Sequence, residues 1–299
     1  MTAENGLAAP GAEIVLDDPQ LRLRYQPGRS NRLILVFSSF ATKKRWFGVS
    51  DTAFSGSASG KGRHHVLFVV DKPGSYGLAP GMMQKIHKAA LQICGRSGLN
   101  RIDILSSSMG AYSAFLFTQI CDVNTVIAFA PPVFIDSRCR VFDNRADAWL
   151  YNVPQGQALP SLLDMLDAPE CIYMAHGLRC PDAAHAAMVP AANHLRHYLF
   201  PASGHTVSKF LKAEDQLDAF VSAAFAYDLT AADAAANQCL GFRKGQVLSA
   251  QFMSALYDGP ECAQAQNSVP EQTIIDAIRQ DTDFDPQLTA GWPMSNDTA

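Results

Sequence analysis

Between residues 14 and 227, short aliphatic runs alternate with stretches of helical period, a rhythm that leaves few architectures open. Residues 32–37 read Arg-Leu-Ile-Leu-Val-Phe, with no polar residue after the first. Such a run suits a strand covered on both faces, as in a parallel sheet flanked by helices. Residues 65–70, 126–129, 171–175 and 197–200 are further runs of this kind, and 102–105, Ile-Asp-Ile-Leu, is a short, mostly apolar one. Residues 14–16 and 21–25 read as opening strands. In the second, Leu21, Leu23 and Tyr25 alternate with polar residues, the pattern of a strand with one face on a core. Over 80–94, Met83, Ile86, Ala90 and Ile93 recur at helical spacing, and Gly95 and Gly98 follow as stops. Residues 109–120 are helical in pattern. Residues 206–227 read as one long helix with Val207, Phe210, Leu211, Leu217, Phe220 and Val221 on its apolar side. The expected fold class is α/β, a mostly parallel, doubly wound sheet with flanking helices.

Two parts lie outside the rhythm. Residues 136–168, between two strands, hold Trp149, Tyr151 and Pro154 and are a candidate cap over a site. The tail from 230 to 299 is rich in Ala, Gln and Asp. It is expected as an extension with short helices near 244–257 and 271–279 and a loose end. The main domain is thus expected over 1–229. Residues 50–62, rich in Gly and Ser, read as an exposed loop.

Composition excludes several classes. Of 299 residues, 48% are hydrophobic and 17% charged, enough apolar content for a large packed core. The net charge is −4 and there is no Lys/Arg block, so no nucleic-acid partner is expected. No apolar run approaches the roughly 18 residues of a membrane helix, and the N-terminus lacks the basic start and apolar stretch of a signal peptide. Seven cysteines, scattered without a C-x-x-C pair, read as reduced thiols of a cytoplasmic protein. No H-E-x-x-H or similar ligand cluster is present, so neither a metal nor another cofactor is expected.

The chemistry centres on Leu105-Ser106-Ser107-Ser108-Met109-Gly110. A buried strand ends, small residues turn the chain, and a helix begins at once. A serine in the middle of such a turn stands above the sheet, where helix N–H groups favour negative charge. Acyl transfer needs both an accessible hydroxyl and donors for an oxyanion. The segment resembles the nucleophile elbow G-x-S-x-G of the α/β-hydrolase superfamily, with Ser108 as nucleophile and with Ser106 in place of the first glycine. The likeness covers about residues 14 to 227.

That resemblance implies the order nucleophile, acid, histidine. Asp182 lies in the loop after the strand at 171–175, and Gly204-His205 follows the last strand. The expected triad is Ser108, Asp182 and His205. Asp136 and Asp167 are the alternative acids, and Asp182 can also be read as the cap of a helix starting at Ala183. His205 can likewise be read as a helix-start residue. His185 reads as a solvated helix residue or a substrate contact, the first being preferred. His64, His65, His87, His194 and His197 read as structural or exposed. The oxyanion donors implied are the N–H of Met109 and that of Phe40, with Ser39 as second choice. Trp46, Tyr76 and Pro132 are candidate substrate-binding residues at the carboxyl edge of the sheet. Lys43, Lys44 and Arg45 form a small basic cluster that reads as a solvated loop or an anion or sugar contact.

The expected function is a serine esterase or deacylase acting on a small-molecule or glycan ester. The strand and elbow segments also look like those of bacterial hydrolase-like proteins linked to glycan modification. Two other readings stay open at this point, an acyltransferase to a sugar or other alcohol, and a non-catalytic interaction protein on the same fold. Oligomeric state is not legible.

Overall fold

The computed structural model describes residues 11–39, 52–143, 150, 153, 159–179 and 181–246. Its strands are β1 (Glu13–Asp17), β2 (Leu21–Gln26), β3 (Arg32–Phe37), β4 (His65–Asp71), β5 (Arg101–Ser107), β6 (Thr125–Phe129), β7 (Cys171–Gly177), β8 (Leu195–Phe200) and β9 (Phe242–Arg243). The helices are α1 (Ser55–Ser59), α2 (Met82–Ser97), α3 (Met109–Thr118), α4 (Asp182–Met188), α5 (Val207–Ala213), α6 (Leu217–Phe225) and α7 (Leu229–Asn237). The strands form one sheet in the order β1-β2-β4-β3-β5-β6-β7-β8-β9. From β4 to β8 neighbouring strands are parallel, and β1, β2 and β9 complete the edges antiparallel.

The aliphatic runs explain the layering. Side chains of a strand point alternately to its two faces, so β3 sends Leu33, Leu35 and Phe37 into one core and Ile34 and Val36 into another. The first core includes Ile86 and Ile93 of α2 and Phe115 and Phe117 of α3. The second includes Ala58 of α1, Val207 and Leu211 of α5, Phe220 and Val221 of α6, and Ala232 and Ala236 of α7. β2 is buried at every other residue, as its alternation predicts.

Four expectations change. The long helix over 206–227 is broken into α5 and α6, with Asp215 between them at φ 56° and the Gln216 N–H donating to Leu211 O at 2.8 Å. A residue in the left-handed region cannot continue a right-handed helix, so Asp215 ends α5, and the Gln216 N–H closes its last turn. The stretch expected as an exposed loop contains α1, whose Ala58 and Ser59 are buried. The sheet also runs past residue 229. Asp233 of α7 accepts from the Tyr198 hydroxyl of β8 at 2.8 Å and from Arg243 of β9 at 3.0 Å. Lys244–Gln246, expected to open a helix, form the turn after β9 instead, and the remainder of that expected helix, with 271–279, lies outside the described residues.

Within 136–168, the described residues pack over α3. Leu150, Val153, Leu162 and Met165 join the first core, and the Tyr112 hydroxyl donates to Pro160 O at 2.7 Å. Trp149, Tyr151 and Pro154 lie outside the described residues. Among the described residues no helix is long and apolar enough to cross a membrane.

Candidate active site

β5 ends at Ser107, α3 begins at Met109, and Ser108 joins them at φ 55° and ψ −125°. A non-glycine residue rarely adopts a positive φ, and one that does is held there by its surroundings. Here the Ser108 N–H donates to Phe129 O of β6 at 2.8 Å, and its carbonyl accepts from the Ala111 N–H at 2.9 Å. Gly110 completes the turn because nothing larger fits. A Cβ there would lie 2.4 Å from the Phe37 carbonyl oxygen. Ser106, where the motif has glycine, is fully buried and donates its hydroxyl to Ile127 O at 3.0 Å. The extra atoms therefore pair with the neighbouring strand, and a serine serves where the motif asks for a small residue.

The side chains of Ser108, His205 and Asp182 meet at the carboxyl edge of the sheet. Ser108 Oγ is 2.7 Å from His205 Nε2, and His205 Nδ1 is 3.0 Å and 3.2 Å from the two oxygens of Asp182. An ionised carboxylate only accepts, so it fixes the neutral imidazole as the Nδ1–H tautomer. Nε2 is then a lone pair facing the Ser108 hydroxyl. The Asp182 side chain is 2% exposed and that of His205 is 38% exposed. The carboxylate is thus screened while the hydroxyl–imidazole pair is open from outside. Asp182 is the first residue of α4. His205 is held through Gly177, whose α-carbon packs on the backbone of Ser203 and Gly204.

The alternative acids are engaged elsewhere or stand on the surface. Asp136 accepts from the Arg138 side chain at 2.8 Å and from its N–H at 3.1 Å, capping the 3-10 turn Ser137–Val141. Asp167 is exposed.

Met109, the first residue of α3, directly follows Ser108, at the end of the helix whose N–H groups face outward. Ser39 follows β3, and its hydroxyl donates to Ser107 O at 3.3 Å, beside the elbow. Phe40 and Trp46 lie outside the described residues, as do Lys43, Lys44 and Arg45. Tyr76 is 3% exposed at φ 58°, with its ring edge-on to Tyr112, and belongs to the first core. It is packed core, since its apolar ring fills the space beside α3. Pro132 is buried in the turn after β6.

His185, expected in solvent, is 2% exposed. The cause is its place on the face of α4 that packs against the turn after β6, where its Nδ1 accepts from the Val133 N–H at 3.0 Å. His176, given no role on sequence grounds, and His197, read there as structural or exposed, have their rings joined Nδ1 to Nε2 at 2.9 Å in the interior. Burial lowers the His176 pKa to about 4 and puts that of His197 well below the ordinary value. The hint in the sequence is a histidine at the end of the apolar run of β7 and another within β8. Among the described residues no group of three or more His, Cys, Asp or Glu side chains is placed to hold a metal ion.

No family model matches the chain, and no curated protein matches it by sequence. Solved structures do match. A hormone-sensitive lipase from a metagenome library aligns over 75% of this chain and 87% of its own, at 13% identity and a TM-score of 0.51. An esterase from Pyrococcus furiosus aligns over 71% and 88%, at 10% identity and a TM-score of 0.47. The capsule O-acetyltransferase of Neisseria meningitidis serogroup A aligns over 73% and 97%, at 15% identity and a TM-score of 0.47. At 13% identity the likeness to the lipase speaks for architecture alone, and with the strand order and parallel centre described above it gives the chain the α/β-hydrolase fold.

Proposed function

We propose that this protein is a serine hydrolase that cleaves an ester or similar acyl bond of a small molecule or glycan. The observation that carries the reading is the unbroken line of hydrogen bonds from the Ser108 hydroxyl through His205 to Asp182. Ser108 Oγ attacks the acyl carbon while His205 Nε2 takes its proton. The carbonyl π-bond electrons move to oxygen, and the Met109 N–H and a donor from the loop after β3 bind the oxyanion. Each such donor contributes about 3 kcal/mol to the transition state. The oxyanion collapses, the bond to the leaving alkoxide breaks, and the imidazolium returns the proton to that alkoxide. Water then attacks the acyl-serine with the same base, releasing the acid and restoring Ser108. Asp182 holds the Nδ1–H tautomer and balances the imidazolium charge.

A serine-directed fluorophosphonate probe tests this on the full chain. Labelling of the wild type that vanishes in Ser108→Ala, together with hydrolysis of a p-nitrophenyl ester that vanishes in parallel, is the expected result. A folded wild type that is neither labelled nor active overturns it.

A further inference from the structure

We infer that His176 and His185 are positioning residues that act as a pair, two uncharged imidazoles gripping the turn 129–133 and so holding the supports of Asp182 and His205 in register with Ser108. The inference rests on the proposed serine-hydrolase reading. That turn is bonded on every side. Phe129 O accepts from the Ser108 N–H at 2.8 Å, and the Ala130 N–H donates to Ala175 O of β7 at 2.7 Å. Pro131 O accepts from His176 Nε2 at 3.0 Å, and the Val133 N–H donates to His185 Nδ1 at 3.0 Å. Ala130 between them has φ 48°, a conformation that persists only where the surroundings over-determine it.

Each histidine connects the turn to a different member of the triad. His176 directly precedes Gly177, the residue that packs on the backbone of Ser203 and Gly204. His185 lies 185 − 182 = 3 positions after Asp182 on α4, one turn along the same helix. The turn that holds the elbow by Phe129 O is therefore the turn held by the carriers of the acid and the base.

The partners also fix the protons. A carbonyl only accepts, so His176 carries its proton on Nε2 and its bare Nδ1 accepts from His197 Nε2 at 2.9 Å. His197 Nδ1 is then a lone pair, buried and without a hydrogen-bond partner. His185 accepts at Nδ1, so its proton is on Nε2, facing Asp143 Oδ2 at 3.8 Å. All three rings share one tautomer. A second proton on His176 would force the His197 proton from Nε2 to Nδ1.

The test compares replacements that keep the grip with ones that remove it. His176→Gln retains a donor toward Pro131 O and His185→Asn an acceptor toward the Val133 N–H, whereas His176→Leu and His185→Leu retain neither. A displacement near one ångström costs about ten- to a hundredfold in rate. The Leu variants, corrected for folded fraction, are expected to lose that much in kcat with KM within about twofold, and the Gln and Asn variants to recover most of it. Leu variants that keep full kcat per folded molecule while melting lower overturn the proposal, because that is what packing alone predicts. Should the Leu variants not fold, imidazole nitrogen NMR of the wild type decides. Protonated Nε2 with bare Nδ1 on His176 and His185 is expected, and a protonated Nδ1 on either overturns the grip. The NMR readout needs no turnover, so it separates a failure of the grip from a failure of the hydrolase reading, which shows first as an unlabelled wild type.

Discussion

Gly177 and Gly204 meet with no room for a methyl group between them. A Cβ at position 177 would lie 2.3 Å from the Gly204 carbonyl oxygen and the same distance from that of Ser203. The end of β7 thus serves as the floor for the loop that presents His205. Two hydrogen bonds press the layers together, Leu178 N–H to Phe200 O and Arg179 N–H to Ser203 O, each at 3.0 Å. Gly177→Ala is expected to fold, since the strand backbone is unchanged, but to push the 203–205 loop outward. The 2.7 Å contact between His205 Nε2 and Ser108 Oγ then lengthens, and kcat falls by about ten- to a hundredfold with little change in KM. Steady-state kinetics on a chromogenic ester measures this. Wild-type kcat in the alanine variant would show that the floor does not set the imidazole position.

The acid assignment separates two carboxylates in opposite states. Asp182 is 2% exposed and bonded to His205, whereas Asp136 is bound to Arg138. Asp182→Asn keeps the shape but presents an amide that no longer favours the Nδ1–H tautomer, and kcat should fall about a thousandfold or more. Asp136→Asn should leave kcat per folded molecule near wild type and lower stability by about 2 kcal/mol, through the weakened Arg138 pairing. Kinetics and urea denaturation on both variants provide the check, and an inactive Asp136→Asn with an active Asp182→Asn would move the acid to the turn after β6.

Acid should weaken the fold before it protonates most carboxylates. The pKa of His176 is lowered by burial from 6.5 to about 4. A depressed folded-state value means that the unfolded chain takes up the proton first as pH falls. Stability is therefore full above about pH 6.5 and is lost as pH drops toward 4. For His176 alone the loss at pH 5 is about 2 kcal/mol. His197, lowered in the same direction, adds to it. Asp71, whose pKa burial raises, works against it, so the wild-type curve reports the sum. His176→Gln, which does not titrate, isolates the histidine part. The difference in unfolding free energy between pH 7.5 and pH 5 should shrink by about that amount in the variant, and an unchanged difference would mean that the ring is protonated in the folded state.

The strands were legible because burial on both faces leaves no freedom in residue type, and runs such as Leu33–Phe37 can be little else. Ser108, Asp182 and His205 were legible because each stands at a chain reversal after an aliphatic run, where the polypeptide returns to the same edge of the sheet. The break at Asp215 is not legible because the apolar positions on either side of it keep helical spacing, and nothing in the residue types marks the left-handed backbone there. His176, His185 and His197 were not legible as partners. Their pairing joins β7, β8, α4 and the turn after β6, and no spacing along the sequence reports which polar atoms of separate strands face each other. Ser106 shows the same limit, since the carbonyl of Ile127 that accommodates its hydroxyl belongs to another strand.

Asp233 decides whether the sheet needs the chain beyond residue 229. It sits on α7 and binds three donors, the Tyr198 hydroxyl at 2.8 Å and two nitrogens of Arg243 at 3.0 Å. Tyr198 is fully buried on β8, with its ring edge-on to Phe220. Removing the carboxylate leaves that hydroxyl without its acceptor and Arg243 without its counter-charge, at a cost of about 2–3 kcal/mol. Asp233→Ala is expected to lower the urea midpoint accordingly without altering kcat, because Asp233 bonds to Tyr198 and Arg243 and not to Ser108, Asp182 or His205. Tyr198→Phe removes the hydroxyl and should cost about 1 kcal/mol. Combined with Asp233→Ala it should cost less than the sum, since both changes delete one shared bond. Strict additivity would mean that the bond contributes nothing, and an Asp233→Ala protein as stable as wild type would mean that α7 and β9 rest on the sheet without supporting it.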